Sequence, residues 1–314
     1  MAYRTRLNLF IMKLIIDGTN VLHIAYWTAK RVTPDFDNNT EKYVSFFLNI
    51  IRSYAKHYYP TETVVCWDSR EKGYKNFRKE SSEDYKGNRE FKSEIYTHHD
   101  KLESILTSLG IRQMYPRTRE ADDIMYWYAK IHDPGNCVIV SADTDMYQLI
   151  DNSANILYDP RKKKEIDDRF LMEKFQVCNG KDFIIRKALK GDSADNIKGV
   201  YRIRKDRIKN IIEKISEGKT TTDIVNDGLL SEDESETFER NMELMSLETL
   251  KNDPDEMFWY EEQASIGVEH NKDVFRCLCD ELGFEKMKNE SSSWVGYFNQ
   301  EEDNIDLSKY VLAF

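Results

Sequence analysis

Short runs of aliphatic and β-branched residues alternate along this chain with stretches whose apolar positions recur every three or four residues. The first kind reads as buried strand and the second as amphipathic helix. Residues 11–16, 63–67, 111–115 and 137–140 are of the strand kind. Residues 42–59 carry Val44, Phe47, Leu48, Ile51 and Tyr54 at helical spacing. A second helix is predicted over 102–109, with Gly110 placed to end it. Thr118 can cap a third that runs to residue 130, with acids in its first turn as the helix dipole favours. A short helix follows near 146–150, and 155–158 with 164–166 reads as an edge pair. From about residue 167 the pattern is mainly helical. The polar stretches 220–236 and 289–304 read as connections. Residues 70–98 stand apart, being charged and aromatic but poor in aliphatics.

Strands that alternate with helices through residue 160 predict an α/β fold, with a mainly parallel central sheet flanked by helices. We expect an α/β domain over 1–180, which includes the 70–98 segment, and a mainly helical region over 181–314.

The 314 residues are 40% apolar, enough for a real core, and 32% charged. The net charge of −10 excludes a generally basic nucleic-acid binder, so local basic segments matter more than the total. Five cysteines, Cys66, Cys137, Cys178, Cys277 and Cys279, are scattered and odd in number. They give no zinc spacing and predict free thiols in a cytoplasmic protein. No run reaches the roughly 18 apolar residues of a membrane span, and residues 1–10 make a poor signal peptide.

The acids change the picture most. Asp17 closes the first strand, Asp68 follows the second, and Asp143 and Asp145 follow the 137–140 strand. Acids at the carboxyl ends of parallel strands face the crevice where open α/β sheets hold ligands. Glu120 and Asp123 are three apart on a helix, with Asp122 to the side, and Asp192 and Asp195 repeat the spacing. So many carboxylates in one crevice repel each other and lose hydration, so they need a hard divalent cation. Two such ions could activate a water and stabilise a leaving oxygen in phosphoryl transfer. No Ser/His/Asp set competes, and His98-His99 lies in a polar stretch and reads as solvated. Residues 70–92 add Arg70, Lys72, Lys75, Arg78, Lys79, Lys86, Arg89 and Lys92, interleaved with Tyr74, Phe77, Tyr85 and Phe91. Basic groups track a phosphate backbone while aromatic rings stack on bases.

Taken in order, these segments resemble the 5′-nuclease family of flap endonucleases, polymerase-associated 5′→3′ exonucleases and phage enzymes of RNase H type. The matching pieces are Asp17-Gly18-Thr19-Asn20, Asp68, Glu120-Ala121-Asp122-Asp123, Ser141 to Leu149, Gly191 to Val200, and Tyr85-Lys86-Gly87-Asn88-Arg89. They cover residues 12–215, and the phage members are the most similar subgroup. The resemblance implies a PIN-like fold with a helical arch over 70–98 and a helix–three-turn–helix DNA-binding element around 191–215. It implies that Asp17, Asp68, Glu120 and Asp122 hold the tighter of two magnesium ions, with Asp123 nearby and manganese able to substitute. Asp143, Asp145, Asp192 and Asp195 would form the second group. Tyr85, Lys86 and Arg89 would lie over the site and steer the scissile phosphate.

The implied activity is a 5′→3′ exonuclease or flap endonuclease. It would act on flap, nicked or RNA–DNA hybrid substrates, removing primers or flaps in replication and repair. The alternatives are a PIN-type ribonuclease and a catalytically silent structure-specific DNA-binding protein. The chain departs from the family after Val200, where Arg202 and Arg204 stand at glycine positions. Glycine takes φ > 0 without strain and arginine does not. The loop is therefore expected to differ, which puts a potassium site there in doubt. With Lys205, Arg207 and Lys209 the two arginines form a basic patch for duplex DNA, alongside Arg70, Lys75, Arg78 and Lys79 on the arch. The apolar residues 307–314 resemble peptides that dock on sliding clamps, and a single-strand-binding protein is a further expected partner. We expect a monomer in the cytoplasm, or in the host's cytoplasm if the source is viral.

Overall fold

The computed structural model describes residues 12–69, 74–82, 85–87, 92–151 and 155–298. Arg70, Arg89 and the 307–314 peptide fall outside these residues. The order opens with β1 (Lys13–Asp17), α1 (Gly18–Val32), α2 (Lys42–Tyr58), β2 (Glu62–Cys66), α3 (Phe77–Ser81), α4 (His99–Ser108), β3 (Arg112–Met114), α5 (Ala121–Trp127) and β4 (Cys137–Val140). It continues with β5 (Ile156–Asp159), β6 (Lys164–Ile166), α6 (Asp168–Phe175), α7 (Gly180–Lys190), β7 (Gly191–Asp192), β8 (Ile197–Lys198) and α8 (Lys205–Ser216). The last helices are α9 (Thr221–Asn226), α10 (Glu232–Met245), α11 (Pro254–Ser265), α12 (Lys272–Glu281), α13 (Glu285–Asn289) and α14 (Ser291–Phe298).

Six strands form one sheet in the order β3-β2-β1-β4-β5-β6. All neighbours are parallel except the β5–β6 edge pair. The chain builds outward from β1 to β3, then returns to β4 on the other side of β1. That reversal is the switch point at which such sheets open a crevice beyond the strands' carboxyl ends.

Successive side chains of one strand point to opposite faces, and both faces are covered. Ile15, Val64, Cys66 and Ile139 enter a core with α5, α7, α8 and α10. Leu14, Ile16, Val65, Trp67, Val138 and Val140 enter a second core with α1, α2, α4, α12 and α14. Burial on both faces explains why these strands read as unbroken apolar runs. The helical second half is divided between the two faces and does not stand apart from the sheet.

Several boundaries depart from the sequence reading. The helix after residue 118 begins at Ala121, capped by Glu120. Thr118 is committed elsewhere, because its hydroxyl and amide both donate to the buried Glu256 carboxylate. The 220–236 stretch is not a connection: Thr220 and Ser231 each cap a helix through a capping box. In 289–304 the described residues are 289–298, the end of α13 and all of α14, with Trp294 buried against Phe275. Gly110 ends α4 at φ 74°, as its position suggested.

The β7–β8 loop is pressed onto the end of α7. A Cβ at Gly199 would stand 2.2 Å from the Lys190 carbonyl carbon. Gly191 turns the chain there at φ 75°. We expect Gly199→Ala to lower stability by about 2 kcal/mol or more, since backbone must shift to admit the methyl. Urea unfolding measures this, and an unchanged midpoint would contradict the close approach.

Candidate active site

The carboxyl ends of β1, β2 and β4 open into a pocket of about 540 Å³. Asp17, Asp68, Glu120, Asp122 and Asp143 line it together with Thr19, Asn20, Lys86 and Arg161. Asp17 ends β1 and caps α1, accepting from the Asn20 amide at 2.9 Å, while the Ser141 hydroxyl donates to its other oxygen at 2.6 Å. Asp68 accepts from the Ala121 amide at 3.0 Å and so ties the end of β2 to the start of α5. Asp143 accepts from the Asp145 amide at 2.9 Å. The acids are thus held by backbone amides at three element ends.

Their electrostatics show a shortage of positive charge. Burial, with Asp68 and Asp143 adding repulsion, pushes the Asp17 carboxyl up to about 7 in spite of its two hydrogen bonds. Burial also raises Asp122, and Asp123 and Glu120 add to it. Asp122 Oδ1 is buried without a hydrogen-bond partner, with Arg78 Nη1 3.8 Å away. Glu120 differs. Burial would raise it, but Lys86 and Arg78, with hydrogen bonds from Lys86 and Tyr85, hold it down at about 2. Lys86 Nζ lies 2.7 Å from Glu120 Oε1, and the Tyr85 hydroxyl donates to Oε2 at 2.9 Å. An orphaned carboxylate oxygen beside a carboxyl that resists ionisation fits a hard divalent cation.

A second group lies beside the first. Asp192 Oδ2 stands 2.7 Å from Lys187 Nζ, and the same ammonium binds Asp145. Asp195 is buried, and its carbonyl accepts from the Lys86 amide at 3.0 Å. None of Asp145, Asp192 or Asp195 lines the open pocket.

Two expected residues have other work. Asp123 is fully buried and does not line the opening. It takes the guanidinium fork of Arg78 at 2.6 and 3.1 Å and accepts from the Glu120 amide at 3.1 Å. Arg78, expected on the DNA-facing surface, is 2% exposed. It also donates to Glu120 at 3.2 Å and to the Leu244 carbonyl at 2.9 Å. It is a counterion of the acids. Arg207 is likewise engaged, bound to Glu234 and to the Leu229 carbonyl. Lys75, Lys79, Arg202, Arg204, Lys205 and Lys209 are exposed. Arg202 takes φ 49°, the left-handed conformation, whereas Arg204 is ordinary at φ −82°. The His98-His99 pair is not solvated: His99 is buried against Trp67, their ring centroids 4.4 Å apart. Its Nδ1 lies 3.1 Å from Glu103, which also accepts from the Tyr115 hydroxyl.

The sequence reading missed several lining residues. His23, Trp27 and Arg31 extend the pocket along α1. Trp27 is 43% exposed at its rim, with the Lys30 and Lys92 ammoniums 5.7 and 4.8 Å from its ring. A large exposed aromatic on a helix that starts at an acid was the available signal. Lys187 had one too. It shares its helix face with Phe183 and Ile184, an apolar phase in which a lysine needs an acidic partner.

Residues 12–176 match the family described as 5′-3′ exonuclease, N-terminal resolvase-like domain, and the chain belongs to that family. Among curated relatives, the 5′-3′ exonuclease of Buchnera aphidicola subsp. Schizaphis graminum is 33% identical over 193 residues, 60% of this chain and 66% of that protein. The flap endonuclease of Escherichia phage T5 is 29% identical over 215 residues, 64% of this chain and 69% of that one. The chain thus spans about two thirds of the length of these relatives. Among solved structures, the T5 D15 protein co-crystallised with metal ions superposes with a TM-score of 0.61 at 23% identity, over 87% of this chain and 98% of that one. Flap endonuclease-1 from Methanococcus jannaschii gives 0.53 at 16% identity, over 93% and 94%. At these identities the two structures establish the fold.

The raised Asp17 carboxyl has a consequence for stability. The folded protein holds this proton more tightly than the unfolded chain, so its contribution to stability falls as pH rises from about 4 to about 7. Asn keeps the cap and cannot ionise. We expect Asp17→Asn to stabilise the metal-free protein at pH 8 by on the order of 2 kcal/mol, the gain shrinking toward zero as pH falls toward 4. Denaturation in EDTA at both pH values measures it. Equal stability of the two proteins at pH 8 would contradict the raised carboxyl.

Proposed function

We propose that this chain is a magnesium-dependent 5′-nuclease that hydrolyses phosphodiester bonds in flap, nicked and RNA–DNA hybrid substrates. In the cell it would remove primers or flaps during replication and repair. One observation carries the reading: the buried Asp122 oxygen without a hydrogen-bond partner, at the carboxyl edge of the sheet, beside an Asp17 that resists ionisation. A site so short of positive charge suits metal ions and the phosphates they accompany. Family membership and the nuclease names of the relatives point the same way.

In this reading Asp17, Asp68, Glu120 and Asp122 hold the tighter ion, and Asp143, Asp145, Asp192 and Asp195 serve a second. Divalent ions bound there supply charge neutralisation at the phosphate and activation of the attacking water. The chain's own groups do the rest. Asp17 and Asp122, whose carboxyls burial raises, would hold the ion as carboxylates. Lys86, now against Glu120, would turn to the scissile phosphate, and the resemblance gives Arg89 the same role. Tyr85 keeps Glu120 oriented through its hydroxyl. Trp27 offers a ring for an unpaired base at the rim, with Arg31 for its phosphate. The exposed Arg202, Arg204, Lys205 and Lys209 grip duplex backbone.

Two measurements test this. With magnesium or manganese, the protein should cut a 5′-labelled flap duplex near the junction. Asp143→Asn should lower the rate at least about 100-fold while DNA binding persists. No cutting by the unaltered protein with either ion would refute the enzyme reading in favour of a DNA-binding protein. Separately, Arg204→Ala should weaken duplex binding and lower the salt slope by about one. An unchanged affinity and slope would remove Arg204 from the DNA-binding surface.

A further inference from the structure

Lys187 sits where the second carboxylate group needs a positive charge. It comes from α7 one turn after the buried Phe183 and Ile184, whose face it shares, and its side chain is 10% exposed. Its ammonium binds Asp145 and stands 2.7 Å from Asp192 Oδ2, so one cation joins two acids that lie 47 residues apart. Asp145 follows β4 and Asp192 lies in β7, so the ammonium also ties the sheet edge to the β7–β8 loop. The first group holds its lysine differently. Lys86 lies on Glu120 and leaves Asp17 and Asp122 short of charge. The two groups therefore differ before any ion arrives: in the first the lysine covers Glu120 alone and leaves Asp17 and Asp122 without one, whereas in the second a single ammonium covers both Asp145 and Asp192.

We propose that Lys187 is a built-in cation of the second carboxylate group. It keeps Asp145 and Asp192 assembled in the metal-free protein, and a second divalent ion binds there only by displacing it. The ions then load in order. The first enters beside Asp17 and Asp122, which no lysine covers. The second must compete with an ammonium already in place at hydrogen-bond distance, so its affinity is set by Lys187 as well as by the acids. This rests on the metal-holding reading of the site and adds to it an order of loading with a residue that controls it.

The test is Mn2+ binding without DNA, followed by calorimetry on the full chain and on Lys187→Gln and Lys187→Arg. The unaltered protein should bind one ion tightly and a second weakly or not at all. Lys187→Gln should tighten the second by about ten-fold or more and leave the first little changed, whereas Lys187→Arg should keep the second weak. Should Lys187→Gln fail to fold, the unaltered protein still decides. Lys187 should resist an amine-acylating reagent in EDTA and with one ion bound, and become reactive only as the second binds, as read by mass spectrometry. A second-site affinity that ignores the Gln substitution overturns the inference. So does a Lys187 that stays protected while two ions are bound. Binding of no Mn2+ at all would overturn the metal reading itself, and this inference with it.

Discussion

The buried guanidinium of Arg78 is the interaction on which the site depends. The first turn of α5 brings Glu120, Asp122 and Asp123 together, and burial makes their mutual repulsion expensive. Arg78 offsets it with a two-pronged bond to Asp123 and a third bond to Glu120. Its remaining nitrogen reaches the Leu244 carbonyl of α10. A single side chain therefore joins α3, the acidic helix α5 and the helical layer behind the sheet. Removing one partner from a buried charge network of this kind typically costs about 3–5 kcal/mol, because the others are left uncompensated. Asp123 belongs to this scaffold and leaves Asp17, Asp68, Asp122 and Asp143 to face the opening.

Arg78 settles part of the charge and no more. Asp17 and Asp122 remain short of a cation, while Lys86 covers Glu120 and Lys187 covers Asp145 and Asp192. The pocket is a folded arrangement whose remaining positive charge has to come from outside. That also reconciles an acidic protein with the polyanionic substrate proposed for it. The negative charge is concentrated where ions would bind, while Lys79 in α3 and Arg202, Arg204, Lys205 and Lys209 around the start of α8 are exposed.

Much of this was legible in the chain. The strands were readable because burial on both faces makes them continuous apolar runs, and the acids because several directly follow such runs. What could not be read was burial of charge. Arg78 and Lys79 are neighbours of identical charge, yet one is a buried counterion and the other is exposed, and only tertiary packing decides between them. Asp122 and Asp123 divide in the same way, as do Thr118 and Glu120 over the cap of α5. Residues 220–236 misled because capping boxes are built from the same polar residues as loops. His99 misled because its partners, Trp67 and Glu103, are brought to it by the fold. Arg202 shows a rule bending: the left-handed conformation persists without the glycine, at a cost on the order of 1 kcal/mol.

The central claim is that the buried acids around Asp17 and Asp122 form the protein's divalent-cation site. Crystals soaked in Mn2+, with anomalous diffraction measured at the manganese edge, test it most directly. The account predicts the strongest anomalous peak in the pocket, within about 2.0–2.3 Å of carboxylate oxygens from Asp17 and Asp122. His99, Asp100 and Glu103 also bring possible ligand atoms within 4.8 Å of one another, at the start of α4. Manganese there, with none between Asp17 and Asp122, would contradict the account.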